Sequence, residues 1–203
     1  MLSTYCVYTP RRICDGVWKS QRSFTSSTFQ PTLRFEAPAS WVFNDGIRAS
    51  SIEVPTAGGG NIGLMTAPFV DFADRDCSER APAGVGTSFA EVVTALGEDA
   101  RLLTTAPQPV TVGDRTGQTL DIRIAADWSG TCAWSDGMPA VLILSATDTG
   151  PAFGLRGTER ARLIFLDVDG SLVSLAISPA DASTFDDFVA QTTPIVETMR
   201  FTP

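Results

Sequence analysis

The stretch Arg162 to Ile177, RLIFLDVDGSLVSLAI, constrains the fold more than any other part of the chain. Apolar residues alternate on both sides of an Asp-Gly pair, and Asp-Gly is a preferred dipeptide of the two-residue type I′ hairpin turn. With Asp169 and Gly170 in the turn, Val168 pairs with Ser171, Leu166 with Val173, Ile164 with Leu175 and Arg162 with Ile177. Paired residues lie on one side of a sheet, so Ile164, Leu166, Val168, Val173, Leu175 and Ile177 form a continuous apolar patch. Such a patch requires cover, and the following segment ADASTFDDFVAQTTPIVETMRF supplies it as an amphipathic helix. Its Phe185, Phe188, Val189, Ile195, Val196 and Met199 recur at three- and four-residue spacing. Ser183 is the expected N-cap, Asp186 and Asp187 complement the positive end of the dipole, and Pro194 is expected to kink or divide the helix.

The same residues, LIFLDVDGSLV, resemble the nucleophile loop of the haloacid-dehalogenase-type phosphatases, in which an apolar strand ends in D-x-D-G-T. Asp167 would then attack phosphorus and Asp169 would act as general acid and base, with Ser171 replacing threonine. That chemistry needs a long parallel domain downstream, a phosphate-neutralising lysine and late acids for magnesium. Thirty residues follow Val173 and none is lysine; the chain's single lysine is Lys19. The hairpin is the reading adopted, with both aspartates as turn and solvent-face residues and no catalytic residue assigned.

Upstream, FQPTLRFEAPASWVF alternates Leu33 and Phe35 with polar residues, and its prolines forbid a helix, so a strand at an edge is expected. SIEVPT and IGLMT read as two strands joined by the glycine-rich AGGGN, a hairpin tip rather than a phosphate cradle, since Gly58 to Gly60 lead into no G-K-[ST]. Ser88 and Glu91 stand at capping-box spacing before Phe89, Val92, Val93 and Leu96, with Gly97 at the expected stop. PVTVGDRTGQTLDIRIAAD is a second hairpin, with Val110 and Val112 on one arm and Leu120, Ile122 and Ile124 on the other. One apolar side per arm predicts an antiparallel sheet covered on one face. VLILSA reads as a central strand.

Charge and residue usage narrow the function. The net charge of −8 repels phosphate backbones, so nucleic acid is not expected as a partner. The chain has no histidine, which removes the commonest general base near neutral pH and the commonest metal ligand. Its cysteines, at 6, 14, 77 and 132, form no C-x-x-C pair, so neither a metal nor a cofactor is expected. Asp71, Asp74 and Asp76 lie close together but lack the EF-hand pattern and read as a solvated acidic loop. Cys77 and Cys132 both lie in loops where a bridge between them is geometrically allowed; buried reduced thiols fit the sequence as well. Cys6 and Cys14 are near enough in sequence for a second, local bridge. No stretch approaches the length of a transmembrane span, and no signal peptide is visible. Residues 1–28 are expected to be an arm, in part disordered, and residues 29–203 a single domain.

The segment DWSGTCAWSDGMPA concentrates Trp128 and Trp134 in one connection, and Arg156 follows in the next. Together they are the candidate binding residues, because paired tryptophans offer flat apolar surface with polar edges. The competing reading is that the tryptophans cap the core. A hydrolase pocket built from Asp127, Asp136 and Arg156 is the alternative with chemistry.

The order of F-x-P-x-L-x-F-x-x-P-x-x-W, a helix, the V-G-x-x-G-x-x-L-D hairpin, a late hairpin and a closing helix resembles the PsbP-like superfamily. The resemblance is strongest to its small exported domains and lipoproteins of high-GC, actinobacterial-type bacteria, and spans about residues 29–201. It implies an α+β domain with an antiparallel sheet flanked by helices, an α/β/α sandwich. It also implies a non-enzymatic binding, sensor or assembly role, with an unknown protein or small molecule as ligand and a membrane-associated partner among the expectations. An extracytoplasmic location follows from the same resemblance. A purely structural interaction module is the remaining alternative.

Overall fold

A computed structural model describes residues 21–46, 49–54, 59–70, 77, 88–146 and 152–202. Cys6, Cys14, Lys19, Gly58, Asp71, Asp74 and Asp76 lie outside them. The chain opens with β1 (Gln21–Thr25), β2 (Thr32–Pro38), β3 (Val42–Asn44), β4 (Ala49–Glu53), β5 (Gly60–Thr66) and β6 (Phe69–Val70). Then come α1 (Phe89–Glu98), β7 (Leu102–Thr104), β8 (Gln108–Val112), β9 (Arg115–Ile124), β10 (Ala140–Ser145) and β11 (Ala152–Arg156). Last are β12 (Arg160–Val168), β13 (Ser171–Pro179), α2 (Phe185–Thr198) and β14 (Arg200–Thr202).

The described strands make three antiparallel sheets. The largest runs β3-β4-β5-β13-β12-β9-β7, with β8 pairing the first half of β9. Its centre is the Asp-Gly hairpin in the register read from sequence: Val168 opposite Ser171, Leu166 opposite Val173, Ile164 opposite Leu175 and Arg162 opposite Ile177. Asp169 (φ 54°) and Gly170 (φ 81°) hold the left-handed conformations that a type I′ turn requires. The Asp167 carboxylate accepts the Gly170 N–H at 2.7 Å, and Asp169 takes both terminal nitrogens of Arg115, at 2.5 and 3.1 Å, from the tip of the neighbouring hairpin. Both carboxylates are thus engaged in shaping and tethering turns, on a strand flanked by antiparallel neighbours.

The expectation of a sheet covered on one face is corrected: both faces are covered. Ile164, Leu166, Val168, Val173, Leu175 and Ile177 join a core with Phe185, Phe188 and Ile195 of α2 and with Leu33 and Phe35 of β2. The opposite face puts Leu163, Phe165, Leu172 and Ala176 into a second core with Val92, Val93 and Leu96 of α1 and Val141, Ile143 and Leu144 of β10. Each outer layer holds one α-helix and a small sheet, order β1-β2-β14 on the first face and β11-β10-β6 on the second.

Several local expectations change for identifiable reasons. β2 is the middle strand of its sheet, not an edge, because Gln21–Thr25, counted above with the arm, pairs along it and β14 pairs on its other side. The closing residues Arg200–Thr202 are therefore strand, where continued helix was expected. VLILSA is central, but in the small sheet on the second face. The helix α2 passes Pro194 without interruption; tertiary packing of Ile195 and Val196 holds the turn whose hydrogen bond proline cannot make. Its cap is not Ser183. A 3₁₀ turn precedes it, and the Asp181 carboxylate accepts the Ser183 N–H at 2.8 Å. The Ser88–Glu91 capping box has both of its reciprocal bonds, and α1 runs through Gly97 to an Asp99 cap. Glycine is required in the β8–β9 turn, where Gly113 (φ 65°) lies so close to the end of α2 that a Cβ would sit 2.6 Å from the Met199 carbonyl.

Candidate functional site

The second face of the large sheet is not filled evenly. Over β12 and β9 it is packed by α1, but toward β4 and β5 its side chains shorten. Ladder pairing sets Ser51 beside Gly63 beside Ala176, Ala49 beside Met65 beside Ser174, and Glu53 beside Asn61 beside Ser178. Apart from Met65, which joins the second core, the residues of these three rows are small or polar and do not fill the space below the next layer, which becomes a groove. It comprises two adjoining cavities of about 740 and 580 Å³ that share Asn61, Ala152 and Phe153. The facing wall is β11, whose Ala152, Phe153 and Gly154 line it.

At one end lies Trp134, with 43% of its surface exposed. Its ring rests against β11 at Gly154, where a Cβ would sit 2.8 Å from the Val141 carbonyl and 3.0 Å from the indole, so a larger residue here would crowd the backbone and push the ring outward. The loop carrying Trp134 is held from inside: the buried Ser135 hydroxyl donates toward the Cys132 and Met138 carbonyls, both 2.8 Å away, and accepts the Cys132 N–H at 3.1 Å. Cys132 and Cys77 stand at disulfide-bonding distance, with their Cα atoms 5.1 Å apart. Among the described residues, these two cysteines are the ones joined.

Glu53 and Glu159 line the same end. Glu53 accepts from Asn44 at 3.0 Å and from the Ser51 hydroxyl at 2.7 Å. Glu159 accepts the Arg156 backbone N–H at 2.9 Å and its Nε at 3.4 Å, while Arg156 Nη1 also reaches Asp136 at 3.1 Å.

At the far end Asp45 clamps the β1–β2 loop, accepting from the Ser27 hydroxyl at 2.8 Å and from the backbone N–H groups of Thr28 and Phe29 at 3.0 and 3.1 Å. Partial burial pushes this carboxyl up, but the backbone and hydroxyl donors of Ser27, with those of Phe29 and Thr28, outweigh it and hold the pKa at about 2 against an ordinary 3.8. A carboxyl depressed by folding stabilises fully above its unfolded pKa and loses that contribution as the pH falls toward its folded one. Asp45→Asn is therefore expected to cost about 1–2 kcal/mol at neutral pH, with the gap from the parent closing between about pH 4 and pH 2. Urea denaturation at several pH values measures it; a gap independent of pH would assign the clamp to shape and not to charge.

Of the three residues singled out from sequence, Trp134 lines the groove. Trp128 is turned inward against the second core, its indole N–H donating to the Ala140 carbonyl at 2.8 Å. Arg156, the last residue of β11, does not itself line the groove but braces Glu159, which does. Sequence reasoning did not select Glu53, Asn61, Phe153, Gly154 or Glu159. A signal for the floor was present in SLVSLAIS, where Ser174, Ala176 and Ser178 alternate with large apolar residues.

No protein-family model matches the chain, and no curated protein matches it. Among solved structures it is similar to the solution structure of cyanobacterial PsbP (CyanoP) from Synechocystis sp. PCC 6803, at 11% identity and a TM-score of 0.49, covering 96% of this chain and 100% of that one. A crystal structure from Bacteroides thetaiotaomicron VPI-5482 is similar at 10% identity and a TM-score of 0.37, over 84% of this chain and 45% of that one. These are likenesses of shape, and they assign neither family nor activity.

Proposed function

We propose that the chain is a non-catalytic binding domain of the PsbP-like, α/β/α type, of the kind exported by high-GC bacteria, and that it takes its ligand or partner in the groove between β5, β13 and β11. The observation that carries the reading is the groove itself: two adjoining cavities walled by regular strands, with an exposed tryptophan at one end. Rigid strands fix the walls in advance, which limits the ordering cost of binding. The motif residues Phe29, Leu33, Phe35 and Trp41 all serve the first core, as expected of sheet signatures. A Cys77–Cys132 bridge favours an oxidising compartment. No described helix is long and apolar enough to cross a membrane.

The test of the site is a fragment screen followed by amide chemical shifts. Ligands are expected to gather on Ala152–Gly154, Asn61 and the Trp134 indole. Hits scattered over the surface, with none in the groove, would leave a purely structural module as the better description. The non-catalytic part has its own check. Asp167→Asn keeps an acceptor for Gly170, so stability should change by under about 1 kcal/mol. Magnesium-dependent phosphatase signal should equal background in both proteins; a clear activity lost in the variant would reinstate the nucleophile reading of Asp167.

A further inference from the structure

The groove has a chemical character that narrows its occupant. Its described lining holds three carboxylates, Glu53, Glu159 and Asp45, and neither lysine nor arginine. Asp45 is committed to the β1–β2 loop. Around the Trp134 end, Arg156 is shared between Glu159 and Asp136, so one positive charge stands against three negative ones when Glu53 is included. An aromatic face flanked by surplus carboxylate attracts a cation, through the ring quadrupole and through charge together.

The wall of the groove supplies a second kind of recognition. β11 pairs with β10 along one edge, and among the described residues its other edge belongs to no ladder. A strand edge with unpaired N–H and C=O groups is a template for another extended chain. At its end the Arg156 N–H and carbonyl are already bonded to Glu159, so the open part of the edge is residues 152–155, about 13 Å long and enough for about two backbone hydrogen bonds. The floor beneath is small, as Gly63, Ser174, Ala176 and Ser178 leave room for the side chains of an added strand.

We propose that the groove receives an extended basic segment of a partner polypeptide, which adds as a strand to the free edge of β11 and sets a lysine or arginine against Trp134 near Glu53 and Glu159. The inference rests on the groove being the binding site, and specifies what enters it. Backbone pairing explains why the wall is an edge strand; charge and the ring explain the sign and the place of the anchoring side chain. A small organic cation would use the second feature and not the first.

The experiment uses the full chain and four probes: an eight-residue peptide alternating lysine and valine, its glutamate counterpart, the lysine peptide N-methylated at alternate backbone nitrogens, and spermine. Binding is followed by amide shifts and tryptophan fluorescence. The lysine peptide is expected to bind, to perturb Ala152–Gly154, and to weaken as salt is raised. The glutamate and N-methylated peptides should bind at least about tenfold more weakly, and Trp134→Ala, at a half-exposed site, should lower affinity about tenfold. Equal binding of the N-methylated peptide or of spermine overturns strand addition. Equal binding of the glutamate peptide overturns the charge assignment, and failure of the lysine peptide to bind overturns the inference. Fragments that occupy the groove while the lysine peptide does not would leave the site standing and only its occupant wrong.

Discussion

Replacing Phe165 with alanine is expected to lower the unfolding free energy by about 3–5 kcal/mol, a fifth or more of the roughly 5–15 kcal/mol that holds a folded domain together. Phe165 is fully buried in the second core, on β12 near the middle of the large sheet. It stands opposite Ser174 on one side and Gln118 on the other, neither of which offers bulk to refill the space. The backbone beneath cannot settle inward. Its carbonyl lies so close to β9 that a Cβ on Gly117 would sit 1.8 Å from it, which fixes the spacing of the two strands. A cavity that cannot collapse keeps its full cost. Urea denaturation with an unchanged m-value is the measurement, and Leu103→Ala, at a residue 45% exposed, is the control expected to lie within about 0.5 kcal/mol of the parent. A loss under about 1 kcal/mol for Phe165→Ala would mean that the second core is not packed as described.

Removing the Cys77–Cys132 bridge should cost nearly as much, by a different route. The bridge closes a loop with a sequence separation of 55 residues, for which chain entropy gives about 4 kcal/mol; measured bridges commonly deliver about 2–4. The immediate surroundings of Cys132 do not depend on it, since Ser135 bonds the backbone of the same loop. The loss therefore falls chiefly on the unfolded chain, which gains freedom. Reductant and Cys132→Ala should lower the denaturation midpoint by similar amounts, and the variant should no longer respond to reductant. A parent protein indifferent to reductant, with free thiols at both positions, would sink the bridge and with it the main support for an oxidising compartment.

What was legible in the sequence was local. The hairpin register came out pair for pair because an Asp-Gly turn and a period of two act within a few residues of each other. The capping box was legible for the same reason, and so was the apolar stripe of α2, though not its cap or its passage through Pro194, which tertiary packing and a preceding 3₁₀ turn decide. The central position of β2 was hidden because its two neighbours come from opposite ends of the described chain. Trp128 and Trp134 look alike as letters in one loop; they differ because only one indole finds a buried carbonyl, on a strand twelve residues away.

The sequence alone determined which residues pair across the late hairpin, which face of it is most apolar, and that its two aspartates sit at a bend. Tertiary structure decided that the other face is also buried, that α1 covers only part of it, and that the remainder opens into a groove against β11. The reason lies in what each kind of pattern encodes. Alternation and turn chemistry report a residue's near neighbours, whereas a groove is the space left where the side chains of distant strands fail to meet, and no single segment records that distance.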